Sequence, residues 1–86
     1  MYRVVLAEPA RRFYENAEAS LQRKLDRCFD VLAQTPRRHP NVKPLTGKLK
    51  GYYRFRIGDY RVIYRVDDDG RLVIVALITH RSKAYD

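Results

Sequence analysis

Two hydrophobic periods divide this chain. Between Pro9 and Gln34 the apolar residues recur at helical spacing, and beyond Gly51 they alternate as in strands. The chain enters this pattern through Tyr2-Arg3-Val4-Val5-Leu6, a β-branched and aromatic run that predicts a first strand. Glu8-Pro9 suits a helix entrance, because proline in the first turn forfeits no useful N–H. Ala10, Phe13, Tyr14 and Ala17 would form one buried stripe, and Leu21, Leu25, Cys28, Phe29 and Leu32 continue the period. Ser20 is a candidate N-cap or break, so two helices or one bent helix are expected from about Pro9 to Gln34. Thr35-Pro36 ends them, since a residue before proline disfavours the α region.

Residues 36–50 form a connection punctuated by Pro36, Pro40, Pro44 and Gly47, with Val42 to Leu45 as a candidate short strand. Three clear strands follow. Tyr52 to Ile57 leads into Gly58-Asp59, a two-residue hairpin signal, and Tyr60 to Val66 returns from it. After the turn Asp67-Asp68-Asp69-Gly70, the run Leu72 to Ile78 is almost wholly apolar, which predicts a central strand buried on both faces. The expected fold is α+β: two N-terminal helices packed on one face of a small, twisted, mainly antiparallel sheet, in the order β-α-α-β-β-β.

The hairpin can be read residue by residue. A two-residue loop sets Ile57 opposite Tyr60 and Arg56 opposite Arg61, then Phe55 opposite Val62, Arg54 opposite Ile63, Tyr53 opposite Tyr64 and Tyr52 opposite Arg65. Strand alternation sends Tyr53, Phe55, Ile57, Tyr60, Val62 and Tyr64 toward the helices. Tyr52, Arg54, Arg56, Arg61, Ile63 and Arg65 share the other side. Like charges directly opposite each other destabilise a sheet, so such a face makes physical sense when an anion completes it. Arginine suits phosphate, because its planar fork binds oxygens bidentately and stays charged.

Charge sharpens this picture. The net charge is +8, and nine of the eighteen Lys and Arg residues lie between Pro36 and Val66 with a single acid, Asp59. A localised positive field attracts polyanions, nucleic acid above all. The 86 residues allow one domain, spanning 1–86. Cys28, the single cysteine, falls in a helical apolar pattern and reads as a core residue. With no signal-peptide pattern and no membrane-length apolar run, the expected location is cytoplasmic.

No metal or cofactor is expected: His39 and His80 are far apart, Cys28 is helical core, and Asp67 to Asp69 suit a solvated turn. RNA can be cut without metal when its 2′-hydroxyl attacks the adjacent phosphorus. That reaction needs a proton acceptor, a proton donor and positive charge on the phosphoryl oxygens. The arginines suit the last task. For the other two, histidine is the residue type suited to proton exchange near neutrality, which makes His80 a candidate, whereas a tyrosine is normally protonated there. The tail His80-Arg81-Ser82-Lys83-Ala84-Tyr85 adds a cation in Arg81 and a stacking plane in Tyr85. So sparse a set would be a weak nuclease unless a second macromolecule bent its substrate into the reactive geometry.

Lys43-Pro44-Leu45, Gly47-Lys48-Leu49-Lys50-Gly51, Tyr53-Arg54-Phe55-Arg56, Gly58-Asp59-Tyr60-Arg61-Val62-Ile63-Tyr64, His80-Arg81 and Tyr85 form an ordered set. That set resembles the RelE/ParE toxin superfamily, and within it the RelE-like branch. The resemblance implies an mRNA interferase of a type II toxin–antitoxin system, a ribosome-dependent endoribonuclease that cuts mRNA in the ribosomal A site. It also implies a cognate RelB-like antitoxin, which physical reasoning expects to be acidic and amphipathic over the arginine face. By motif position it implies catalytic roles for Arg54, Arg56, Arg61, Arg81 and Tyr85. Arg54 and Arg56 stand where the family often has lysines, so they are expected to position the substrate, and the base stays open between Tyr85 and His80. Lys48, Lys50, Tyr52, Arg65, His80 and Lys83 are expected to contact RNA. Two other readings remain: a ParE-like gyrase inhibitor of the same fold, and a non-catalytic RNA- or ribosome-binding module.

Overall fold

The computed structural model describes residues 1–83. Strand β1 (Arg3–Leu6) is followed by helices α1 (Glu8–Asn16) and α2 (Ala19–Gln34), and then by β2 (Val42–Pro44). A short 3-10 turn at Gly47–Leu49 leads to β3 (Tyr52–Ile57), β4 (Tyr60–Asp67) and β5 (Leu72–His80), with a second such turn at Arg81–Lys83. The five strands form one sheet in the order β1-β5-β4-β3-β2. Only β1 and β5 run parallel; the other pairs are antiparallel. The architecture is α+β with both helices on one face, as the hydrophobic periods predict.

The helices break at Ala17 and Glu18, both extended, rather than at Ser20. Pro9 lies in the first turn of α1, and Glu8 bridges Arg11 and Arg12 at 2.6 and 3.1 Å on its exposed side. Ala10, Leu25, Cys28 and Leu32 pack from the helices onto Phe55, Val62, Tyr64, Val73, Val75 and Ile78. Leu25 and Leu32 are fully buried, each contributing roughly 1.5–3 kcal/mol. Burial pushes the Cys28 thiol up to about 12, which keeps it an inert core group at neutral pH.

Two expectations need correcting. Strand β5 is interior in the sheet, but only Val73, Val75 and Ile78 are buried; Leu77 is exposed. Its apolar composition reflects one covered face and a second, open apolar face among the described residues. The aspartate turn is not merely solvated either. Asp68 accepts two hydrogen bonds from Arg37, at 3.0 and 2.9 Å, and one from the Tyr2 hydroxyl at 2.7 Å. These contacts hold its carboxyl down at about 2 and fasten the residue 35–41 connection to the β4–β5 turn. Tyr64 completes the fastening by donating to the Pro36 carbonyl at 2.6 Å in the core.

Candidate nucleic-acid interface

The β3–β4 register is the expected one at every pair, from Ile57 opposite Tyr60 to Tyr52 opposite Arg65. Gly58 takes φ +53° at the first turn position, the left-handed conformation that a tight hairpin requires there. A short turn with the right glycine fixes alignment locally, and alternation then fixes faces. Arg54, Arg56, Arg61 and Arg65 consequently share the side of the sheet opposite the helices.

Their surroundings differ. Arg61 is the one charged residue buried among those described, at 8% exposure. Its guanidinium donates to the Gly58 and Tyr60 carbonyls at 3.3 and 3.2 Å, which draws it toward the hairpin tip. Arg54 donates to the Asn41 carbonyl at 3.0 Å, the same oxygen that accepts the Arg56 N–H. The Arg54 head is thereby carried along β3 to the level of Arg56. Arg56 and Arg65 are exposed. Arg81 begins the turn after β5; its amide N–H donates to the Asp59 carbonyl at 2.7 Å, and its guanidinium lies 3.7 Å from the Asp59 carboxylate. Both of those side chains are mostly exposed, so this ion pair is weak and easily exchanged for another anion. Arg54, Arg56, Arg61 and Arg81 thus gather around the end of one hairpin.

His80 is placed elsewhere. It pairs with Tyr60, and the two rings meet edge to face at 5.5 Å while Tyr60 also packs on Phe13 of α1. His80 therefore lies on the helix side, with Nδ1 3.0 Å from the Ser82 hydroxyl oxygen. Lys48 and Lys50 are exposed beside the 3-10 turn that leads to Tyr52, and Lys83 is exposed in the last described turn. Tyr85 lies outside the described residues. Asn41, which organises Arg54 and also donates to the Arg56 carbonyl at 2.7 Å, has no signal in the sequence; the β2–β3 register brings it there.

A concavity of about 860 Å³ lies on the helix side between α1, α2 and the hairpin tip, lined by Phe13, Leu21, Ile57 and Tyr60. The arginine face is open instead, as suits a polymer rather than an enclosed small molecule. Among the described residues no group of three His, Cys, Asp or Glu side chains could hold a metal, and no helix is long and apolar enough to cross a membrane.

The family model described as the ParE toxin of the type II toxin–antitoxin system parDE matches residues 6–85, and the chain belongs to that family. It is 40% identical over 43 residues to toxin RelG of Mycobacterium tuberculosis, covering 50% of this chain and 49% of the relative. It is likewise 40% identical over 57 residues to toxin RelE of that organism, covering 66% of this chain and 57% of the relative. The matched region thus spans about half the length of these curated relatives. The fold is similar to that in the RelBE2 toxin–antitoxin complex of the same organism, with TM-score 0.80 and 28% identity over 93% of this chain and 98% of that one.

Proposed function

We propose that this toxin is a ribosome-dependent, metal-independent endoribonuclease that cuts mRNA and so inhibits translation. The observation that carries the reading is the convergence of Arg54, Arg56, Arg61 and Arg81 on the β3–β4 hairpin end. Arg56 and Arg61 would hold the scissile phosphate between them, with Arg54 positioning the neighbouring backbone. Arg81 would neutralise charge that develops on the phosphoryl oxygens or leaving group. In the cleavage step the 2′-oxygen loses its proton and bonds to phosphorus, the P–O5′ bond breaks, and a proton goes to the 5′-oxygen. The products are a 2′,3′-cyclic phosphate and a free 5′-hydroxyl. Tyr85 is assigned the proton-accepting role, because His80 sits across the sheet from the arginines. The sparse acid–base set is consistent with a substrate oriented by the ribosome.

The RelBE2 relative is in complex with its antitoxin, and for this chain we infer an acidic, RelB-like antitoxin that covers the arginine face. The family model's ParE name favours a second reading, gyrase inhibition by binding. One experiment separates them. Tightly controlled expression in a bacterium, with 5′ ends mapped on a translated reporter, is expected to give growth arrest and new cuts inside the reading frame. Arg81→Ala, or blocked initiation on that message, should abolish the cuts. Arrest with lost supercoiling and no cuts would instead select gyrase.

A further inference from the structure

Five of the six tyrosines among the described residues are engaged. Tyr2 donates to Asp68, Tyr14 to Asp26 and Tyr64 to Pro36, while the Tyr53 hydroxyl accepts from Arg37. Tyr60 packs on Phe13 and His80. The Tyr52 side chain alone makes no hydrogen bond or ring contact among the described residues, although it is only half-buried. Directly opposite it stands Arg65, an exposed cation whose guanidinium likewise makes no ion pair or hydrogen bond among them.

This pair lies on the open face, at the other end of the ladder from Arg56 and Arg61. One pair of the same face separates the two ends, Arg54 opposite Ile63, with Lys43 beside Arg54 on β2. At the strand rise, Tyr52 is about 13 Å from Arg56 along β3. A polynucleotide backbone has twice as many bonds per repeat as a polypeptide, so one extended nucleotide spans about as much as two strand residues. Same-face side chains of β3 therefore recur once per nucleotide.

Among the described residues, carboxylates occur only at the ends of this interval. Asp59 is beside Arg81, and Asp67 accepts the Gly70 N–H of its own turn at 3.1 Å. Toward β1 the open face becomes apolar, through Leu77, Ile74 and Val5. An anionic strand that followed the cations would run along β3 rather than across the sheet. At its end a ring with a guanidinium beside it offers what a single-stranded nucleotide needs: a plane for its base and a cation for its phosphate.

We propose that Tyr52 and Arg65 form a second RNA subsite, which stacks and charge-pairs the nucleotide two positions from the one held at Arg56 and Arg61. The position of the cut rests on the nuclease reading above, whereas the subsite itself is a binding property. Fluorescein-labelled oligoribonucleotides carrying 2′-O-methyl groups throughout, which cannot be cleaved, would be titrated by anisotropy at lengths of two, four and six nucleotides. The tetranucleotide should bind at least about tenfold more tightly than the dinucleotide, and Tyr52→Ala and Arg65→Gln should each remove about tenfold of that gain. Tyr52→Phe should keep it, because stacking needs the ring and not the hydroxyl. Thermal unfolding of each variant checks that the fold is retained, and the exposed Arg65→Gln serves if Tyr52→Ala does not fold. Equal affinity at all lengths, or an unchanged gain in folded Arg65→Gln, would overturn the subsite. Message cuts with length-independent binding would remove the subsite and leave the nuclease; length-dependent binding lost in the variants, without cuts, would do the reverse.

Discussion

Arg56 and Arg61 face each other across the β3–β4 hairpin, two cations at directly opposed positions of one sheet face. Such a pairing is unfavourable in isolation. The protein eases it asymmetrically: Arg61 is buried and turned onto the Gly58 and Tyr60 carbonyls, while Arg56 stays in solvent. On the proposed reading, a phosphate entering between them would relieve the residual repulsion, so the contact that is unfavourable in the free protein would favour an anionic ligand.

Arg56 should therefore contribute to RNA affinity mainly through charge. Arg56→Gln is expected to weaken binding of uncleavable RNA and to reduce the slope of log K against log salt by about 0.7, the single-strand value for one phosphate contact. Anisotropy titrations over a range of salt concentrations measure this. An unchanged slope would take Arg56 off the backbone.

Arg61 and Arg81 should act on the rate. Each alanine variant is expected to lose about 10²-fold or more in cleavage of a ribosome-bound message, the scale on which removing one transition-state donor acts. Arg81→Ala should leave the unfolding temperature within about a degree, since its exposed pairing with Asp59 adds little stability. Arg61→Lys keeps the charge but loses the fork and should fall between wild type and alanine.

Tyr85 and His80 can be ranked as proton acceptors. Tyr85→Phe is expected to slow cleavage by about 10²-fold, a typical general-base contribution, and by at least tenfold more than His80→Gln. Single-turnover rates across pH on programmed ribosomes decide it. The opposite ranking would return the role to His80.

Tyr64 links the sheet to the connection after α2 through its buried hydrogen bond to Pro36. Tyr64→Phe leaves that carbonyl without this donor and should cost about 1–3 kcal/mol in urea unfolding. Burial raises the Tyr64 phenol above its ordinary range, so the bond stays protonated and its contribution should not change between neutral and mildly alkaline pH.

Asp68 makes stability depend on acid. The Arg37 guanidinium and the Tyr2 hydroxyl depress its carboxyl from 3.8 to about 2. A depressed carboxylate stabilises the fold above its unfolded value, and the gain is lost as pH falls through that interval. Asp68→Asn should lower the unfolding temperature by a few degrees at most near neutrality, because the pair is exposed. Below pH 2 the wild type and variant should unfold together.

Local chemistry made much of this protein legible from its amino acids. A two-residue turn with glycine first, flanked by alternating residues, determined the whole β3–β4 register and hence which arginines share a face. The helical period likewise determined the buried stripe of α2 and its end before Pro36. What lay beyond reach was non-local. Arg37 and Asp68 meet across thirty-one positions of chain, and Asn41 meets Arg54 only because β2 folds back on β3. The side on which His80 lies turned on a single residue. A register shift between β4 and β5 at Ile63 and Tyr64 inserts Ala76, so the parity that puts Val73 and Val75 toward the helices resumes at Ile78 and His80. Counting by twos holds wherever a tight turn closes the hairpin. It fails across a bulge, which adds an unpaired residue to one strand with no turn residue to mark it in the sequence.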